Sequence, residues 1–166
     1  MIFQVLGYAL PLAANSCRSI IRAIDFHIDG PSVAARCSVA KRYQDLIAWQ
    51  MAEEFKKEIV RLIMNSSVAR RDRRYRDQLL GAAQSVTANI AEGFLRNSPG
   101  DFRRFLSIAL GSLGEAENRL NDGVQLHYFI ADECQLAFRF AKRCAVASAR
   151  LRRSQEAFMG RRNPRT

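Results

Sequence analysis

A chain of 166 residues, 48% hydrophobic and 25% charged, is long enough for one full hydrophobic core and too short for two comfortable ones. No apolar run reaches the roughly 18 to 20 residues of a membrane-spanning helix, and four cysteines without CxxC spacing exclude a disulfide-dense secreted scaffold. A soluble, cytoplasmic protein with no membrane association is therefore expected, and its net charge of +10 either attracts a polyanion or serves solubility.

Residues 1–40 show no sustained period, and Gly30-Pro31-Ser32 breaks what precedes it, so they read as a weakly ordered leader. The apolar stretch from Met1 to Ala14 lacks the positive n-region of a secretory signal. The pattern changes at Tyr43. Leu46, Trp49, Ala52, Phe55, Ile59, Leu62 and Ile63 recur at helical spacing, with Glu53, Glu54, Lys56, Lys57 and Glu58 mostly turned outward. Asn65-Ser66-Ser67 closes this first helix, and an arginine-rich loop follows with Arg70, Arg71, Arg73, Arg74 and Arg76. A second helix, from about Arg73 to Leu95, has Leu79, Ala83, Val86, Ile90 and Phe94 on one face.

Ser98 is a good N-cap, Pro99 suits the first helical position and Asp101 puts negative charge in the first turn, so a third helix starts here. Phe102, Phe105, Leu106, Ala109, Leu113, Ala116 and Leu120 fall within about 60° of one direction at the 3.6-residue period, which makes them a core face. Asn121-Asp122-Gly123 and the residues to Ala131 form the last connection. The fourth helix runs from about Asp132 to Ser154 with Leu136, Phe140, Cys144, Ala147 and Leu151 inward. Four amphipathic helices with no strand pattern predict an all-α fold, an antiparallel up-down-up-down four-helix bundle over residues 41–154, followed by a basic tail over 155–166 that includes Arg161, Arg162 and Arg165.

The parts of a catalytic site are missing. The two histidines, His27 and His127, have Ile24 and Val124 three residues before them, so the Glu-x-x-His pairs of di-iron bundles are absent. Gly111-Ser112-Leu113-Gly114 is one residue short of a nucleophile elbow, and neither GxxxxGK nor GxGxxG occurs. A non-enzyme without metal or cofactor is expected.

Two surfaces exceed what a core requires. On the fourth helix Arg139, Lys142, Arg143, Arg150 and Arg153 project within a sector about 100° wide, away from Leu136 and Phe140. They are either a solvated face or a phosphate-binding stripe, which Arg70, Arg71, Arg73, Arg74 and Arg76 extend. On the third helix Ser107, Gly111, Gly114 and Asn118 line up opposite the core. Exposed helical glycine costs about 1 kcal/mol against alanine, so these residues either reflect tolerance or let another subunit approach. Asn89 and Glu92 on the second helix either make caps and interhelix hydrogen bonds or belong to the same assembly surface, while Gly93 helps end the helix.

Three segments carry a resemblance: Tyr43 to Gln50 (YQDLIAWQ), Ser85 to Gly93 (SVTANIAEG), and Phe102 to Gly114 (FRRFLSIALGSLG) with Glu115 following. Over residues 42–150 the chain resembles the bacterial four-helix bundle proteins encoded in intervening sequences of large-subunit ribosomal RNA genes. It is also similar to the accessory variability proteins of diversity-generating retroelements. The resemblance implies a non-enzymatic, ring-like homopentamer whose basic surface binds RNA or another nucleic acid. In the retroelement members that surface also engages a reverse transcriptase. The forty-residue leader and the arginine-rich loop stand outside the pattern.

Overall fold

The computed structural model describes residues 40–96 and 98–162; the leader and Arg165 lie outside them. A 3-10 turn, Tyr43–Asp45, precedes five α-helices: α1 (Ile47–Asn65), α2 (Ser67–Arg71), α3 (Arg73–Leu95), α4 (Pro99–Gln125) and α5 (Ala131–Arg162). No strand occurs among the described residues. The four long helices α1, α3, α4 and α5 correspond to the four expected from periodicity. The expected boundaries shift wherever a side chain rather than a period decides the end.

The first such place is Asp45, whose carboxylate accepts the Arg42 backbone N–H at 3.0 Å and closes a separate turn. Leu46 is then extended (φ −77°, ψ 126°), so α1 begins at Ile47 rather than Tyr43. The segment expected as an arginine-rich loop is mostly helical. Ser66 Oγ accepts the Ala69 N–H at 3.1 Å and starts α2, and Asp72 Oδ1 accepts the Tyr75 N–H at 3.0 Å and starts α3. Each cap satisfies an N–H that the first turn of a helix leaves orphaned. Ser98 caps α4 in the same way, accepting the Asp101 N–H, with Pro99 at the first position as expected.

Asn121-Asp122-Gly123 does not end α4, which continues to Gln125. Gly123 is buried there, and a Cβ on it would meet the Tyr75 hydroxyl and, at 2.8 Å, the Phe129 ring. The helix stops through a Schellman pair: Tyr128 N–H donates to the Gly123 carbonyl at 2.8 Å and His127 N–H to the Val124 carbonyl at 3.1 Å. His127 occupies the left-handed position (φ 57°) that glycine usually fills. At the other end of α5, the helix runs on to Arg162, so residues 155–162 are helical rather than a separate tail.

Most core residues of α1, α3 and α4 are those the period indicates: Phe55, Ile59 and Leu62; Leu79, Val86 and Ile90; Leu106, Leu113 and Leu120, all at most 2% exposed, whereas Trp49, Phe94 and Phe105, expected on the same faces, are half-buried. Complete burial of one such side chain stabilises by roughly 1.5–3 kcal/mol. On α5 the buried line is Cys134, Ala137, Ala141, Cys144, Ser148 and Leu151, with Phe140 beside it. Leu136 and Ala147, expected inward, are half-buried at its edge. The reason is size, since small residues let the backbone of α5 approach its neighbours, and Cys144 Sγ reaches the Ala48 carbonyl at 3.5 Å. Burial pushes the Cys134 thiol up to about 11 and the Cys144 thiol up to about 12, so both stay protonated. Glu58, grouped with outward residues in the sequence, is buried as well. Arg61 donates to its carboxylate from both Nε and Nη2, at 2.9 and 2.6 Å, and also to the Glu133 carbonyl.

Each long helix packs on two others: α1 on α3 and α5, α4 on α3 and α5. Between α3 and α4, Tyr75 Oη donates to the Arg119 carbonyl at 2.8 Å, and Ser85 Oγ lies 2.9 Å from Ser112 Oγ. Gly93 sits against Phe102 and Phe105 in the same seam. Gly93 is two residues before the end of α3, and its role is this close contact rather than termination.

Asp72 links the start of α3 to the α4–α5 connection, because Tyr128 Oη donates to its Oδ2 at 2.9 Å. The Tyr75 backbone N–H, then the Tyr128 hydroxyl, hold the Asp72 carboxyl below the usual aspartate range. A carboxyl depressed in the folded state adds stability that is present above its unfolded pKa and lost as pH falls through the folded one. The stability advantage of the wild type over Asp72→Asn is therefore expected to shrink on acidification below about pH 4. Urea midpoints of both proteins at several pH values check this, and parallel curves would contradict it.

Candidate nucleic-acid interface

Between Cys134 and Gln155, α5 carries Arg139, Lys142, Arg143, Arg150, Arg152 and Arg153 and no acidic residue. Arg139, Lys142, Arg150 and Arg153 are exposed, and Arg143 is half-buried. Their directions, at 100° per residue, oppose the buried line of Cys144 and Ser148. Val146, 41% exposed, lies among them. Among the described residues, no ion pair or hydrogen bond engages Arg139, Lys142, Arg150 or Arg153.

The cations of α1 behave differently. Lys56 pairs with Glu53 at 2.7 Å, Lys57 with Glu54 at 2.8 Å and Arg61 with Glu58 at 2.6 Å. All three are i, i+3 pairs that neutralise the charge where it arises. On α5 the residues three and four positions away from each stripe cation offer no carboxylate, Arg153 with Glu156 excepted, and Glu156 instead faces Arg103 of α4 at 3.6 Å. Arg152, not singled out by periodicity, leans off the stripe and donates to Ser107 Oγ at 3.5 Å. It joins α5 to α4.

The arginines of the α2–α3 corner split by environment. Arg70, Arg71, Arg73 and Arg74 are exposed. Arg70 and Arg71 occupy the last turn of α2, where positive charge complements the helix dipole. Arg76 is half-buried and donates to the Asp77 carboxylate at 2.9 and 3.0 Å and to the Arg70 carbonyl. These arginines precede or begin α3, and α3 and α5 both pack on α1 and α4. The corner and the α5 stripe thus belong to two different long helices.

On α4, a Cβ at Gly111 or Gly114 would meet nothing within 4 Å, so no packing among the described residues requires either glycine. Gly81 on α3, which the sequence reading did not single out, is equally open. Ser107 donates to the Arg103 carbonyl at 3.1 Å, and Asn118 reaches Asp122 at 3.5 Å. Asn89 Nδ2 donates to the Ser85 carbonyl at 2.7 Å and to Ser85 Oγ at 3.0 Å, and Ser85 continues to Ser112 of α4. Glu92 accepts from Arg96, whose guanidinium lies 5.3 Å from the centre of the Phe105 ring. Asn89 and Glu92 thus bond to residues four positions away along the same helix, rather than as caps or directly across to another helix, and the link to α4 runs through Ser85.

A cavity of about 600 Å³ opens near the α4–α5 connection, lined among others by Leu62, Asn65, Tyr128, Phe129 and Glu133, and no stripe residue borders it. Among the described residues no group of three or more His, Cys, Asp or Glu side chains is placed to hold a metal ion. No described helix is long and apolar enough to cross a membrane.

The profile of the 23S rRNA-intervening sequence protein family matches residues 44–145, more than half of the chain. The chain belongs to this family. The match runs from the 3-10 turn through α1, α2, α3 and α4 into α5. It includes Arg139, Lys142 and Arg143 and stops before Arg150 and Arg153. No curated protein matches the sequence.

Proposed function

We propose that this protein is a non-enzymatic RNA-binding protein that uses the outer face of α5 for phosphate contacts. In this reading the four long helices form an antiparallel up-down-up-down bundle and the protein works in the cytoplasm on ribosomal RNA or a ribonucleoprotein. The observation that carries the reading is the contrast between helices: α1 neutralises its own cations, and α5 leaves four exposed cations without an ion pair among the described residues on one face. Arginine suits such a face because its planar fork contacts phosphate bidentately. The family name supplies the link to RNA. The antiparallel arrangement is supported by the seams, in which Tyr75 at the start of α3 meets Arg119 late in α4, and Arg103 early in α4 meets Glu156 late in α5.

Phosphate contacts release counterions, so binding depends steeply on salt. Titration of a labelled 23S rRNA fragment at increasing salt is expected to give log K falling with log salt at a slope of about −3 to −4 for four contacts. No detectable binding at low salt overturns the reading, and a protein that co-purifies after nuclease treatment would then favour a scaffold that docks a protein partner such as a polymerase.

Assembly belongs to the same proposal. Gly111 and Gly114 are exposed, have open space over them and cost helix stability, which supports a second copy approaching α4 there. A homopentamer rests on the family resemblance. Gly111→Leu is expected to split the assembly with its helical content intact, as measured by light scattering and circular dichroism. A monomeric wild type refutes it.

A further inference from the structure

Single-stranded nucleic acid is held on aromatic platforms, where each stacked base is worth roughly 1–3 kcal/mol. Among residues 40–96 and 98–157 no Phe, Tyr or Trp side chain is fully exposed. Several half-buried rings are committed elsewhere: Tyr43 packs edge-on to Trp49 at 5.3 Å, Phe94 to Phe102 at 6.0 Å, and Phe105 lies under Arg96. Tyr128 packs on Tyr75 and its hydroxyl is bonded to Asp72. The ring nearest the row is Phe138, four positions before Lys142 on α5, and most of its surface is buried, so among the described side chains no fully exposed ring borders the stripe for a splayed base to stack on.

The stripe has a geometry of its own. Arg139, Lys142, Arg150 and Arg153 lie within a sector of about 80°, along a helical length of about 21 Å. They form two pairs, Arg139 with Lys142 and Arg150 with Arg153, separated by about 12 Å of helical rise. Val146 stands between the pairs and no acid interrupts them. Being on one uninterrupted helix, the row is rigid, and its spacing leaves a gap where consecutive phosphates of a single strand would need a partner. Two backbones on either side of a groove place phosphates at such separated positions without any ordering of the nucleic acid on binding.

We infer that the α5 face takes base-paired RNA in preference to single strands, one cation pair on each backbone flanking a groove. This rests on the RNA-binding reading above and goes beyond it by naming the form of the nucleic acid. Recognition of this kind goes to shape and backbone and carries little sequence preference.

The test uses the full chain and three fluorescein-labelled probes of one sequence: a 20-base-pair RNA duplex, its unstructured single strand, and the corresponding DNA duplex. Anisotropy at low salt is expected to show the RNA duplex bound at least tenfold more tightly than the single strand and no less tightly than the DNA duplex. Arg139→Gln/Lys142→Gln and Arg150→Gln/Arg153→Gln are each expected to remove most of the duplex preference, because each clears one side of the groove. A single strand bound as tightly as the duplex overturns the inference and leaves RNA binding standing. Tighter binding to the DNA duplex overturns the assignment to RNA. No binding to any probe removes both the inference and the reading beneath it.

Discussion

Gly93→Ala is expected to destabilise the protein by about 2–3 kcal/mol, whereas Gly81→Ala, the same change on the same helix, is expected to gain up to about 1 kcal/mol. At Gly93 the new methyl would sit 2.6 Å from Phe105 Cβ and 3.0 Å from the Phe102 ring. Phe105 Cβ is fixed to the α4 backbone and cannot swing aside, so relief requires the seam between α3 and α4 to open. That seam holds Val86, Ile90 and Leu106, buried to within 1%. At Gly81 a Cβ meets nothing within 4 Å, so only the intrinsic helix preference of alanine is left to act. Gly123→Ala falls with Gly93, since it presses on Tyr75 and Phe129. Urea melts of the three variants measure the effect, and a common sign for Gly81 and Gly93 would contradict the packing described.

The largest effect on binding is expected from Arg139→Gln, Lys142→Gln, Arg150→Gln and Arg153→Gln combined. RNA affinity at low salt should fall on the order of 100-fold and the salt slope should lose about 3 units, as four phosphate contacts disappear. The fold should not suffer, because all four side chains are exposed and unpaired among the described residues. Net charge alone would also weaken RNA binding, so a matched comparison separates the two. Arg139→Gln/Lys142→Gln and Lys56→Gln/Lys57→Gln each remove two charges, but only the first pair belongs to the stripe, while Lys56 and Lys57 already face Glu53 and Glu54. Equal losses in the two double variants would reduce the stripe to a general electrostatic effect.

Much of the scaffold is legible residue by residue. Phe55, Ile59 and Leu62, or Leu106, Leu113 and Leu120, are large, apolar and regularly spaced, and the burial that follows from their period is what the structure shows. Ser98-Pro99 marks a helix start through local bonding alone. Local chemistry was harder to see where charge obscured it. Asp72 stands among arginines and reads as one more charged residue, yet its carboxylate caps α3 and accepts from Tyr128 fifty-six positions away. Ser66 is similar, a cap inside what looked like a terminating polar run. On α5 the error has a different origin. Leu136 outweighs Ala137 in any hydrophobic pattern, but the helix turns its smaller side inward to come close to α1 and α4.

The candidate interface divides along the same line. That α5 carries six cations over Cys134 to Gln155 without an acid is a property of the sequence, and their common face follows from helical geometry. Charge partners within one helix, such as Lys56 with Glu53, are equally local. Tertiary structure alone decided that Glu156 turns to Arg103 rather than to the stripe, and that Arg152 is drawn to Ser107. It alone sorted the glycines, closing Gly93 and Gly123 against aromatic side chains and leaving Gly81, Gly111 and Gly114 open. The sequence by itself thus determined the helices, most of their inward faces and where the charge lies, because these depend on neighbours within a few residues. The orientation of α5, the packed glycines and the turning of Glu156 away from the stripe depend on side chains brought together from distant positions, which no local period records.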